Sequence, residues 1–428
     1  MSRKRIESSM PHPLVAIDMG HTVRTMAAER NEAGLLRVLG VESSGKTQYV
    51  ERGVVTNTSG MSFCVNEMLK LLANRIHHDN LVKAFVPLGG RSMQIVEVSS
   101  KRNQLKVQPI SSVMLDDMEM ECKKKIETHN PLVAVLDLIP SQYILDGVPQ
   151  KDVPSAEQEA QWVEVNYSVF VGKKELEQKV KDSFVRIPKH IEHAYARPDA
   201  LMCALASEED MQNGCAILDM GAQTTTLTVY KNDRYIYNRV LSQGGYDISR
   251  DIEQLGVSFA YAERLKCDYG CACAQTVEKN NVYRVPSPNA ENGVTLIKAT
   301  DLADVIANRL DQILNPLMAE LSNLSQSISV LYITGGASML FGVEAYVQSK
   351  TTIPVMYGSH APWLTADTPD EYCAPNYSSL VGTLLLGGYY RDLHPTKVYE
   401  DALISRLHKL KKKVEEQTLI IFSDTENE

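Results

Sequence analysis

The chain has 428 residues, of which 44% are hydrophobic and 23% charged, a composition that buries large cores and excludes disorder as the main theme. Its length accommodates about two to three ordinary domains. The formal charge of −9 excludes nucleic-acid binding driven by overall charge, and no stretch approaches the roughly 18 apolar residues that span a bilayer.

Residues 1–12 are an N-terminal extension: "MSRKRIESSMPHP" is basic but leads only into the short apolar run Leu14-Val15-Ala16-Ile17, which is no secretory leader. The eight Cys are scattered, so reduced thiols in a cytoplasmic protein are expected. "LVAIDMGHTVRTMAAE" (14–29) then gives a buried strand, Asp-Met-Gly, and a second strand; Asn31-Glu32-Ala33-Gly34 turns the chain into a third, "LLRVLGVE". Helical spacing predicts a helix over 60–76 with Phe63, Val65, Met68, Leu69 and Leu72 on one face. From Lys83 the order strand, strand, helix, strand predicts an inserted subdomain over 83–163. The alternating "VEVNYSVFV" (163–171) then returns the chain to the first domain, taken as 13–82 plus 164–204.

The opening pattern recurs downstream. "CAILDMGAQTTTLTVY" (215–230) again ends a strand in Asp-Met-Gly, and Asn232-Asp233 turns into "YIYNRVLS". A repeat half a protein long predicts two related domains, each opening with a three-strand meander. The second is taken as 205–245 plus 328–392, with its own insert over 246–327, and a charged amphipathic tail fills 393–428.

A strand-end Asp followed by Gly suits phosphate, because the missing Cβ lets backbone amides approach an anion. Asp18 with Gly20, His21 and Thr22, and Asp219 with Gly221, Ala222, Gln223 and Thr224, would form two jaws. Asp18 and Asp219 could hold hydrated Mg²⁺ between them, since that ion keeps several waters and needs few protein ligands. Gly335-Gly336-Ala337-Ser338, between an apolar run and a helix, suits a nucleotide. The ordinary alternative at each place is a structural tight turn. "GVESSGKT" (40–47) satisfies the Walker A pattern, but the helix that must follow Lys46 and Thr47 is missing from "QYVERGVVTNTSG", so a P-loop NTPase is the least favoured reading. Cys267, Cys271 and Cys273, and His190 with His193, lack the spacing or third ligand of a metal site. Asp137, Asp199 and Glu192 are not placed as a general base by any pattern.

With these residues assembled, the chain resembles the actin/Hsp70/sugar-kinase superfamily, and within it the FtsA family, over about residues 14–390. The two Asp-Met-Gly hairpins resemble the superfamily's phosphate motifs and "LYITGGAS" its adenosine motif. In "GGYDISRDI" and "AERLK", Gly244, Gly245, Glu263 and Lys266 resemble the ribose-contacting segment. "RGVVTNTSGMSFCVNEML", "FVPLGGRSMQ", "YSSLVGTLLLGGYY" and the place of the insert are FtsA-like. The resemblance implies an α/β fold of duplicated actin-like (ribonuclease-H-like) domains flanking a nucleotide cleft, with an FtsA-type inserted subdomain. It implies ATP and Mg²⁺ as cofactors, and a cell-division adaptor that recruits the tubulin-like FtsZ, self-assembles weakly and lies at the inner face of the cell membrane. The chain departs from the pattern where Ala222-Gln223 replaces Gly-Gly, Thr226 replaces a later Asp, and His21-Thr22-Val23 stands where a small residue and Lys are usual. Hydrolysis is accordingly expected to be slow at most. The competing classes are a nucleotide-independent adaptor and an actin-fold small-molecule kinase. In the tail, Leu403, Leu407, Leu410 and Val414 form one helical stripe beside Arg406, Lys409 and Lys411 to Lys413, which suits an anionic bilayer or a partner protein equally.

Overall fold

The computed structural model describes residues 13–78, 81–150, 152–155, 157–287, 292–324 and 328–393. The expected extension over 1–12 and the tail beyond 393 lie outside the described residues.

The first meander is Leu14–Met19 (β1), Thr22–Arg30 (β2) and Leu36–Lys46 (β3), followed by the two-residue ladder Val50–Glu51 (β4) and Val54–Val55 (β5). Helix Thr58–Arg75 (α1) starts where the Asn57 side chain accepts from the Gly60 amide at 2.9 Å, satisfying an otherwise unpaired first-turn donor. Its buried face is Met61, Cys64, Val65, Leu69 and Leu72. Phe63, expected on that face, is 67% exposed, because a residue two places from both Met61 and Val65 is turned to the opposite side of the helix.

Lys83–Leu88 (β6) pairs in parallel with β1. The insert proper follows: Gln94–Pro109 (β7), helix Ser112–His129 (α2), Val133–Leu145 (β8), Val148–Gln150 (β9) and Glu159–Lys173 (β10), in the sheet order β7-β10-β8-β9. Helix Lys174–Asp182 (α3), strand His190–Ala196 (β11), helix Arg197–Leu205 (α4) and helix Glu208–Asn213 (α5) lead out of the first domain. The sheets thus divide the chain differently from the expected boundaries at 82/83 and 163/164. β6, expected to open the insert, is the fourth strand of the first domain's sheet, and 164–173, expected to return to that domain, lies in the insert's longest ladder.

The second domain repeats the first. Cys215–Met220 (β12), Thr225–Lys231 (β13) and Arg234–Leu241 (β14) form its meander, and Asn232 and Asp233 both take positive φ in the hairpin turn, as a mirror-image turn requires. Its insert holds Gly245–Ile252 (α6), Phe259–Tyr269 (α7), the hairpin Val282–Pro286 (β15) and Val294–Lys298 (β16), and the long helix Ala299–Leu324 (α8). Val330–Thr334 (β17), Val343–Gln348 (α9) and Val355–Tyr357 (β18) complete it, whereas Ser378–Leu393 (α10), expected in the second domain, packs Leu380, Val381, Leu384 and Leu385 in the first domain's core with Leu14, Ala16 and Phe85. The two five-stranded sheets run β3-β2-β1-β6-β11 and β14-β13-β12-β17-β18. In each, an antiparallel meander is extended by two parallel strands on the β1 or β12 side. β1 and β12 are nearly continuous buried runs, as strands covered on both faces must be.

Candidate nucleotide site

β1 and β12 end in Asp18-Met19 and Asp219-Met220, and their turns face one cavity of about 180 Å³. Asp18, Gly20, His21, Thr22, Asp219, Gly221, Ala222, Gln223, Thr224, Gly335 and Gly336 all line it. Gly335 has φ +89, and a Cβ there would meet Asp219 Oδ1 at 2.5 Å, so the turn after β17 closes against β12 only with glycine. Beside it, a Cβ on Gly336 would enter open space. Ser338 is buried behind the turn, its hydroxyl donating to the Gly335 carbonyl at 2.7 Å. Ala337 lies beneath Gly245.

The adjoining wall is built from α6 and α7. The amides of Gly245 and Tyr246 donate to the carbonyls of Gly221 and Ala222 at 3.0 and 2.6 Å, and Gly244 packs on the same turn. Glu263 accepts from Lys266 Nζ at 2.8 Å and from the Ser249 hydroxyl, while Lys266 also donates to the Gly245 carbonyl at 2.8 Å. Burial alone would raise the Glu263 carboxyl, but Lys266, then Lys46 and Ser249, hold it at about 2. His21 stacks edge-on against Tyr246 at 5.6 Å, and burial, with Lys46 next, lowers its pKa, keeping the ring neutral at pH 7. Its buried Nδ1 has no protein partner, nor does the buried Oδ1 of Asn376, another residue of the lining. Such orphaned polar atoms are costly unless something pairs with them.

Lys46 and Arg52 make three of the contacts that cross from the first domain to the second. Lys46 Nζ reaches Glu263 at 2.8 Å; the Arg52 guanidinium forks onto Asp247 at 2.8 and 3.0 Å; and the Arg52 amide donates to Gln223 Oε1 at 2.8 Å. Gly40–Thr47 is no P-loop, because residues up to Lys46 are strand β3. Its lysine nevertheless belongs to the cleft, which the failed pattern did not suggest.

The expected magnesium site does not fit the ion. Arg197 donates from Nη1 to Asp18 Oδ2 at 2.9 Å and from Nη2 to Asp18 Oδ1, so both carboxylate oxygens face a guanidinium. Burial pushes the Asp219 carboxyl up; Arg197 opposes this and Asp18 adds to it. Among the described residues, no group of three or more His, Cys, Asp or Glu side chains is arranged to hold a metal. Arg197 was missed in the sequence, where only its place beside Pro198 marks it; a cation in a helix's first turn opposes the helix dipole and needs an acidic partner. Of the acids that no pattern placed, Glu192 is paired with Arg391. Asp137 accepts from the Ala196 amide and Asp199 from the Tyr235 hydroxyl, and neither lines the cavity.

A family model described as "Cell division protein FtsA" matches residues 216–382. The cell division protein FtsA of Streptococcus pneumoniae is 23% identical over 367 residues, covering 81% of this chain and 76% of that protein. A solved PilM-PilN type IV pilus biogenesis complex superposes with a TM-score of 0.62 at 16% identity, covering 87% of this chain and 98% of the other. MreB5 of Spiroplasma citri bound to ADP gives 0.51 at 11% identity, covering 89% and 98%. Topology and relatives agree: the chain is a divergent FtsA-like protein of the actin fold.

Proposed function

We propose that this is a cell-division protein that binds an adenine nucleotide, ATP in particular, between the Asp18 and Asp219 hairpins. In this reading it is a membrane-associated adaptor that recruits a tubulin-like FtsZ and self-assembles weakly. The observation that carries the nucleotide reading is the pair of matched sheets whose strand-end turns, with Gly335-Gly336 as a third side, surround one cavity. Glu263, Lys266 and the Gly244-Gly245 turn, assigned to the ribose in this reading, form the wall adjoining the cavity and do not line it. Hydrolysis is slow or absent in this reading, because Asp18 is tied to Arg197 and Ala222-Gln223 stands where the resemblance has Gly-Gly in the phosphate turn.

The cross-cleft contacts of Lys46 and Arg52 favour a second reading, an adaptor that works without nucleotide. The cavity is below the roughly 300 Å³ at which small-molecule sites begin, so a nucleotide enters only when the domains part. Titration of the purified protein with a fluorescent ATP analogue separates the two. Saturable binding that is lost on replacing Gly336 by a bulky residue supports the first; absence of binding leaves the second. Co-sedimentation with FtsZ polymers and with anionic liposomes tests the partner and the membrane.

A further inference from the structure

We propose that Arg197 is a resident cation occupying the place a divalent metal would take, so that a nucleotide's phosphate chain binds in this cleft without Mg²⁺. The ligand named here rests on the nucleotide reading above; the exclusion of the metal does not.

The geometry comes first. A hydrated Mg²⁺ bridging Asp18 and Asp219 needs carboxylate oxygens free to accept from its waters. Both oxygens of Asp18 are engaged by one guanidinium in a fork, with the Asp18 side chain only 8% exposed and that of Arg197 23% exposed. Removing Asp18 from the fork would strand a buried charge on each side. A dication entering beside the guanidinium would also meet like charge, in a place where low dielectric strengthens repulsion.

The position is built rather than incidental. Arg197 opens α4, the end of a helix that disfavours a cation, yet three elements converge on it. Asp18 comes from β1. Ser379, at the start of α10, accepts from Nη1 at 3.2 Å. Gly89, after β6, lies flat against the side chain, so that a Cβ there would be 3.1 Å from Nε. Asp219 is close enough for its charge and that of Arg197 to act on each other.

The chemistry follows. A guanidinium has five N–H groups in a planar fork; three bonds go to Asp18 and Ser379, leaving two for an anion in the cavity that Arg197 lines. Arg, unlike Lys, keeps its charge when buried and matches phosphate oxygens two at a time. The cleft thus offers guanidinium donors at the place where a bridging ion would otherwise sit.

The test has two arms. Wild-type protein is titrated with a fluorescent ATP analogue in excess Mg²⁺ and in excess EDTA. Affinities that agree within about tenfold support the inference, and binding only in Mg²⁺ overturns it while leaving the nucleotide reading intact. Arg197→Ala should lose at least about tenfold in EDTA and regain it with Mg²⁺, whereas Arg197→Lys should stay closer to wild type in EDTA. The second arm needs no nucleotide: Mn²⁺ is titrated and free ion followed by electron paramagnetic resonance. Wild type should take up no Mn²⁺ that is lost in Asp219→Asn, and Arg197→Ala should acquire one such ion. Wild-type uptake abolished by Asp219→Asn overturns the inference even if Arg197→Ala fails to fold. If nucleotide binds in neither buffer, the nucleotide reading falls and the Mn²⁺ arm still decides the role of Arg197.

Discussion

Glu263 is the residue on which most of the cleft wall depends, since it receives Lys46 from the first domain and Lys266 and Ser249 from the second. Its carboxyl is held at about 2 in the folded chain, against an ordinary value near 4.3 when unfolded. A depressed carboxyl stabilises the fold above the unfolded pKa, and that contribution disappears as pH falls from about 4.5 toward 2. Glu263→Gln should therefore lower stability at pH 7 by about 1–2 kcal/mol and flatten the acid limb of the stability curve, as thermal unfolding from pH 7 to pH 3 would register. An unchanged acid limb would mean that the two lysines are solvated rather than paired. Lys46 shows what a local pattern can and cannot convey. The Walker-type spacing is real in the sequence, its rejection on the missing helix agrees with strand β3, and yet the side chain reaches the cleft through tertiary structure alone.

At the level of elements, α10 lies across α4 through the absent side chain of Gly382: a Cβ there would sit 1.7 Å from the carbonyl oxygen of Ala200. Backbone against backbone leaves nothing flexible to yield. Gly382→Ala should cost more than about 3 kcal/mol or prevent folding, the upper end of what overpacking does, measured by urea unfolding against Gly45→Ala, a site where a Cβ meets nothing. The meanders were legible because alternation and turn chemistry are local, and so was the recurrence of Asp-Met-Gly. What was not legible is pairing. β6 and β10 read correctly as strands but were assigned to each other's sheets, because alternation fixes which face is buried and not which neighbour supplies the hydrogen bonds. Phe63 shows the same limit in a helix, where a five-residue stripe can be drawn through apolar positions that the core does not use. Arg197 left no local pattern at all; its meaning comes from β1, β6 and α10 meeting α4.

For the whole molecule, the cross-cleft contacts make closure an electrostatic matter. Arg52, on the β4–β5 turn with φ +50, holds Asp247 and Gln223 together, and partly exposed pairs of this kind weaken as salt shortens the screening length to about 8 Å at physiological strength. Arg52→Ala should speed association of a fluorescent nucleotide several-fold and reduce the salt dependence of that rate, with the equilibrium fold unchanged; stopped-flow mixing at two ionic strengths is the measurement. A slower or unchanged rate would place the barrier elsewhere.

One buried side chain gives the assembly a mechanical character. Tyr235, on β14 of the second domain, donates its backbone amide to the Ser168 hydroxyl of the insert and its own hydroxyl to Asp199 of the first domain's α4, while its ring meets Phe170 at 4.9 Å. It joins the insert and both large domains at one point. Excising 94–173 to obtain a minimal two-domain protein would not remove an appendage but break this junction, leaving the tyrosine's amide unpaired and its ring against water. Any torque applied to the insert is likewise delivered at the seam between the two large domains.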